Sequence, residues 1–143
     1  IERRPAPSHK NLDCPNCIDW AMPIGTPILA ARDGKVEETE SRFNTHGGQE
    51  FVNKTNYIVI EHDNNESSVY VHLKYRGLEV KTGQQLKAGQ IIGYSGQTGF
   101  AGYPHLHFGV YKKVDRKRGI PSGVRSRIKN GELVNVKVEL KRR

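Results

Sequence analysis

Apolar and polar residues alternate along much of this chain with the two-residue period of half-buried strands, and no stretch shows the 3.6-residue period of an amphipathic helix. The pattern predicts strands over residues 27–31, 35–39, 56–62, 67–73, 91–95, 105–111 and 133–140. Turn formers separate most of them: Asp33-Gly34, Asp63-Asn64-Asn65, Gly83, Gly89 and Gly99. The runs Ile58-Val59-Ile60 and Val69-Tyr70-Val71, joined through Asp63-Asn64-Asn65, read as a central hairpin. Residues 40–55 are polar, contain glycine and have no period, so they are expected to form a long loop able to wall one side of a cleft. Residues 112–130 read as irregular, ahead of a last strand. The expectation is an all-β fold, a twisted antiparallel sheet with a groove, in a single domain over residues 1–143.

The same alternation assigns faces to histidines. In Pro104-His105-Leu106-His107-Phe108 the two imidazoles share one face, while Leu106, Phe108 and Val110 take the other. In Tyr70-Val71-His72-Leu73 the rule puts Tyr70 and His72 together, opposite Val69, Val71 and Leu73. Strands that bury an aliphatic face and present imidazoles on the other can build a metal or proton-transfer site without weakening the core. A catalytic zinc site takes three protein ligands and keeps a fourth position for water. The His105/His107 face supplies one or two ligands, and Asp19 in Ile18-Asp19-Trp20 and His9 in Ser8-His9 can complete the set. His-x-His alone is a weak signal.

Apolar residues make up 35% of the chain, but they cluster into runs, which is compatible with folding. No run approaches the roughly 20 apolar residues of a transmembrane helix, and nothing at the start reads as a signal peptide, as expected of a mature form. The formal charge of +8 is uneven. Residues 112–143 hold 12 Lys or Arg against 3 acids, which leaves the rest near neutrality. This basic segment reads either as a solvated tail or as a surface for a polyanion. No helix-turn-helix, zinc-finger or RNA-recognition signature accompanies it, so nucleic acid is not the expected partner.

Cys14-Pro15-Asn16-Cys17 leaves three readings open: a local disulfide suited to an extracytoplasmic protein, two thiols, or a thiolate metal site, which needs more ligands than two cysteines supply. A thioredoxin-like pair would sit at a strand-to-helix junction that the pattern lacks. If Cys17 is extended with Asp19, both share a face, and a thiolate there could disturb a metal. His62 reads as a surface residue at a strand end, His46 as a loop residue able to touch substrate, and Tyr70 and Tyr103 equally as cleft wall or core.

Four motifs occur in order: Ser8-His9, Ile18-Asp19-Trp20-Ala21-Met22-Pro23-Ile24-Gly25-Thr26-Pro27, Tyr70-Val71-His72-Leu73, and Gly99 to Phe108 with its His105-Leu106-His107. Between them lie Ala30-Ala31-Arg32-Asp33-Gly34, Asn56-Tyr57-Ile58-Val59-Ile60 and the Gly83 to Gly93 stretch. Over residues 8–111 the chain resembles the lysostaphin-type (M23 or LytM) zinc endopeptidases. The resemblance implies the lysostaphin-like peptidase (duplicated hybrid motif) fold, one Zn2+ per chain held by His9, Asp19 and His107, and His72 and His105 as non-ligand catalytic residues. It also implies hydrolysis of peptide bonds in the stem or cross-bridge peptides of bacterial peptidoglycan, outside the cytoplasm, and the basic segment would then hold the enzyme against anionic wall or membrane polymers. Which histidine takes the proton and which stabilises the oxyanion stays open. The family's compact pattern spaces its first histidine and aspartate four apart, whereas His9 and Asp19 fit a longer-spaced variant. The alternatives are a non-catalytic wall-binding or hydrolase-regulating module of the same fold, and a basic nucleic-acid-binding domain.

Overall fold

The computed structural model describes residues 2–4, 14–63, 65–114 and 132–137. His9 and most of the basic C-terminal segment lie outside the described residues. The strands are β1 (Glu2–Arg4), β2 (Ile18–Ala21), β3 (Pro27–Leu29), β4 (Gly34–Glu40), β5 (His46–Gly47), β6 (Tyr57–Glu61), β7 (Glu66–Val71), β8 (Leu73–Leu78), β9 (Gln85–Leu86), β10 (Ile91–Ser95), β11 (Gly99–Phe100), β12 (His105–Val114) and β13 (Glu132–Val136), with one 3-10 turn at Gln49–Phe51. The largest sheet runs β1-β2-β12-β7-β6-β4-β9, with β13 also on β12. All its pairings are antiparallel. A second antiparallel sheet is β3-β10-β8, and the short β5 and β11 pair in parallel. The fold is nearly all β.

The β-branched run Ile58-Val59-Ile60 forms the expected hairpin with β7, Ile58 opposite Tyr70 and Val59 opposite Val69. Both faces of this hairpin are covered. Ile58, Ile60, Tyr70, Leu106 and Phe108 join the main core, while Val59, Val69, Tyr57, Tyr111, Cys14 and Cys17 form a smaller cluster on the opposite face. Along β12 the odd-numbered residues therefore belong to the smaller cluster's side and the even-numbered ones to the main core. His105 and His107 share a face opposite Leu106 and Phe108, as the alternation requires.

The β7 strand departs from the expected faces. Tyr70 is buried in the main core with its ring edge-on to Phe108 at 5.2 Å, so it is a core residue and not a cleft wall. Val69 and Val71 lie on the histidine side. His72 escapes Tyr70's face because the strand stops at Val71: His72 adopts φ 68°, a left-handed backbone, and β8 begins at Leu73. Period-two alternation cannot register that break.

Residues 40–55 are largely irregular, as expected, but contain β5 and the 3-10 turn, and Thr55 closes the segment against His72. Gly99, at φ 87°, lies so close to Thr55 that a side chain there would collide with it. This close approach brings the β5–β11 pair alongside the histidines.

His62 is not a surface residue. It is buried, its Nδ1–H donates to the Asp33 carbonyl at 2.7 Å, and its Nε2 lies 2.7 Å from Ser68 Oγ. Ser68 Oγ in turn stands 2.9 Å from Tyr70 OH, which accepts the Ala31 N–H at 2.9 Å. The partners in this hydrogen-bonded chain come from two separate segments, residues 31–33 and β7, which is why the sequence next to His62 gives no hint of it. Burial lowers the His62 pKa below its ordinary 6.5. A lowered folded-state pKa means that its contribution is intact above about pH 6.5 and is lost as pH falls towards the folded value. His62→Ala is expected to cost about 1–3 kcal/mol at pH 7, because the Ser68 hydroxyl and Asp33 carbonyl lose a partner. Urea unfolding should show the gap between wild type and variant narrowing between pH 7 and 5; an unchanged midpoint at pH 7 would contradict this.

Candidate active site

Pairing of β2 with β12 sets Asp19 directly opposite His107, and β7 sets Val71 on the other flank. Side chains at paired positions share a face, so the carboxylate and the imidazole meet. His107 Nδ1–H donates to Asp19 Oδ1 at 2.9 Å. His105, two residues back on the same face, places Nε2 at 3.7 Å from Asp19 Oδ2. Asp19 is buried, where an acid needs partners, and the two imidazoles face its two oxygens.

His72 completes the cluster from the β7–β8 turn. Its ring centroid is 4.6 Å from that of His105 and 5.9 Å from that of His107. Its Nδ1–H donates to the Thr98 carbonyl at 2.6 Å, and Thr55 Oγ1, itself donating to that carbonyl at 3.1 Å, lies 3.3 Å away. His105 is held in the same way: Nδ1–H donates to the Tyr103 carbonyl at 2.7 Å, and the Tyr103 ring stacks on it at 4.5 Å. Both imidazoles thus carry their proton on Nδ1 when neutral and expose a lone pair on Nε2.

Two thiols stand on the far side of His107. Cys14 Sγ is 3.9 Å from His107 Nε2, and Cys14, Cys17 and His107 offer donor atoms within 4.8 Å of one another. The pair is not joined in a disulfide, and both cysteines are buried. A turn closed by Cys17 N–H donating to the Cys14 carbonyl at 3.1 Å brings them together. The turn is clamped by β13: Asn16 N–H donates to Asn135 Oδ1 at 2.7 Å, and the Asn16 amide donates to the Asn135 carbonyl at 3.1 Å.

The electrostatics separate the histidines. Burial, reinforced by the His107 and His105 rings, pulls the His72 pKa down to about 3. Burial works in the same direction on His107, but its hydrogen bonds to Asp19 and Cys14 outweigh it and raise the pKa to about 9. The hydrogen bond with Cys14, followed by burial, pushes the Cys17 thiol upwards. Burial, and then the neighbouring Cys17 and Cys14, push Tyr111 upwards.

Of the five residues singled out in the sequence, Asp19, His72, His105 and His107 come together, and His9 lies outside the described residues. Sequence reasoning missed Thr55, Thr98 and Tyr103 as the groups that orient the imidazoles, since two of the three act through backbone carbonyls. It put Cys17 on Asp19's face but did not foresee that Cys14 stands nearest His107. The shared parity of Cys17 and Asp19 was the available signal for that approach.

A model of peptidase family M23 matches residues 15–119. Peptidoglycan DD-endopeptidase ShyA of Vibrio cholerae serotype O1 is 42% identical over 106 residues, covering 74% of this chain and 22% of ShyA. The catalytic domain of the antimicrobial peptidase lysostaphin from Staphylococcus simulans superposes with a TM-score of 0.54 at 38% identity, over 66% of this chain and 65% of that one. A zinc-containing peptidase from Vibrio cholerae superposes at 0.56 with 31% identity, over 88% of this chain and 31% of that one. The chain spans less than a quarter of the length of the curated relatives it matches. With the family match running through β2, the β6–β7 hairpin and β12, the elements that carry the clustered aspartate and histidines, the chain belongs to peptidase family M23.

Proposed function

We propose that this chain is a zinc-dependent endopeptidase acting on the peptides of bacterial peptidoglycan outside the cytoplasm. The observation that carries this reading is the cluster of His72, His105 and His107 at the buried Asp19: both β12 imidazoles face its carboxylate, and the His72 ring packs beside them from the β7–β8 turn. Packing alone gives no reason for three imidazoles to crowd a single acid. The relatives' names, which include peptidoglycan DD-endopeptidase, supply the substrate class.

The residues present fit a zinc ion by donor chemistry: imidazole, carboxylate and thiol are its ordinary ligands. Zinc would be held at His107. The motif order offers Asp19 and His9 as companions. Bound zinc would supply Lewis acidity, bringing a water's pKa to about 7 and polarising a carbonyl. His72, neutral and with only a lone pair on Nε2, takes the proton of the attacking water and returns it to the leaving amine. His105, whose Nδ1–H is held by the Tyr103 carbonyl, donates from Nε2 to the scissile carbonyl oxygen when both ring nitrogens carry protons, as charge develops there. Thr98 and Tyr103 hold the two rings in these orientations.

The test is digestion of purified peptidoglycan by the chain with zinc, after chelation, and after zinc is restored, with released amines and fragments analysed by mass spectrometry. Zinc-restorable release of peptide ends is the expected result. Binding to the wall without cleavage under all three conditions would identify a non-catalytic module instead.

A further inference from the structure

Asn56, from the Asn56-Tyr57-Ile58-Val59-Ile60 motif, touches none of the clustered side chains, yet its amide is completely buried with its oxygen and both its N–H donors engaged. Oδ1 accepts the Phe43 N–H at 3.0 Å, while Nδ2 donates to the Phe43 carbonyl at 2.8 Å and to the Leu73 carbonyl at 3.2 Å. Phe43 belongs to the irregular segment 40–55, and Leu73 directly follows His72. One side chain therefore ties the wall segment to the turn that carries His72. On the endopeptidase reading above, we propose that Asn56 is a positioning residue. It fixes the backbone on which His72 stands and couples that backbone to segment 40–55, so that the wall and the imidazole take up their places as one unit.

The Leu73 peptide group is held at both ends. Its N–H donates to the Asn56 carbonyl at 3.2 Å, and its carbonyl also accepts the Thr98 hydroxyl at 2.8 Å. Thr98 Oγ1 in turn accepts the Asn56 N–H at 3.2 Å, and the Thr98 carbonyl is the group that holds His72 Nδ1. Asn56 thus reaches His72 by two routes, through the Leu73 backbone and through Thr98 to the ring. His72 needs such fixing, because a non-glycine residue keeps a φ of 68° only where its surroundings over-determine it. The other side of the turn is closed as well: a Cβ built at Gly96 would come within 2.9 Å of the His72 carbonyl oxygen.

The amide is specific to the task. Aspartate has the same shape but would aim an oxygen at two carbonyl oxygens, and alanine would leave both Phe43 backbone groups without this partner. Two other bonds keep the wall segment attached without Asn56, from the Arg76 N–H to the Ser41 carbonyl at 2.9 Å and from the Gly99 N–H to the Thr45 carbonyl at 3.0 Å. Removing the amide therefore breaks the link between wall and His72 and leaves the rest of the scaffold its own bonds.

The experiment compares zinc-loaded wild type with Asn56→Ala and Asn56→Asp on soluble peptidoglycan fragments. Zinc content should stay at the wild-type level, kcat should fall by about a hundredfold, and KM should rise. Partial unfolding alone would lower kcat only in step with the folded, zinc-bound fraction and would leave KM where it was. Nitrogen-15 NMR of the His72 ring reads the positioning directly: wild type should show Nδ1 protonated and Nε2 bare, and the variants should lose that single tautomer. Hydrogen exchange of wild type does not depend on a variant's folding. The Phe43 amide should be protected despite its irregular segment, and should lose protection together with the Leu73 amide in mild denaturant. A Phe43 amide that exchanges like an exposed loop while Leu73 stays protected would overturn the coupling. So would a folded, zinc-loaded Asn56→Ala with wild-type kcat, KM and His72 tautomer. If wild type itself cleaves nothing, the endopeptidase reading fails, and the ring spectra and exchange still decide whether Asn56 positions His72.

Discussion

His107→Ala is expected to remove the metal and hydrolysis together, with activity falling by more than about three orders of magnitude. No other described side chain touches both donor groups at the site: Asp19 bonds to one ring nitrogen and Cys14 approaches the other. A metal held through either nitrogen loses a ligand in the variant. The magnitude follows from what the metal contributes, since without it the attacking water keeps the far higher pKa of bulk water in place of about 7. The variant also leaves the buried Asp19 with fewer partners, a cost of about 1–3 kcal/mol, so its fold has to be checked by circular dichroism alongside metal content. The two losses should track each other across a zinc titration. A folded His107→Ala that keeps stoichiometric zinc and cleaves peptidoglycan at the wild-type rate would remove the basis for placing a metal here.

Much of the scaffold was legible because its strands are long, alternating and rich in β-branched residues. The β6–β7 hairpin, β10 and the start of β12 lie where periodicity puts them, and the His105/His107 face follows from parity alone. The failures share a physical cause. Strands of two to four residues, such as β2, β5, β9 and β11, are too short to establish a period and exist because a longer neighbour offers them hydrogen bonds. His72 reaches the site through a left-handed residue that ends a strand, and parity extended one residue too far put Tyr70 beside it. His62 looked exposed because its partners, Asp33 and Ser68, are brought to it by β-sheet pairing and by the turn before β4. The thiols are the instructive case. Two cysteines three apart cannot say what third group they meet, because that group is supplied by register between β2 and β12.

Substituting His105 by alanine should leave the metal in place and cut turnover by about 10²–10⁴-fold, and His72→Ala should do the same. Neither ring belongs to the proposed ligand set of His9, Asp19 and His107, so occupancy does not depend on them. Their hydrogen bonds to Thr98 and Tyr103 fix where Nε2 points, and a misplaced imidazole cannot meet the reacting atoms. The two variants should part company in their pH dependence. His72, with its pKa lowered to about 3 by burial and by its two imidazole neighbours, is neutral between pH 5 and 7. An acid limb between pH 5 and 7 therefore belongs to other groups, and residual activity in His72→Ala should keep the wild-type acid limb. Stopped assays of metal-loaded variants from pH 5 to 9, with zinc measured on the same samples, resolve the question. Loss of zinc from His105→Ala or His72→Ala in parallel with activity would make that histidine a ligand and overturn the division between metal binding and proton transfer.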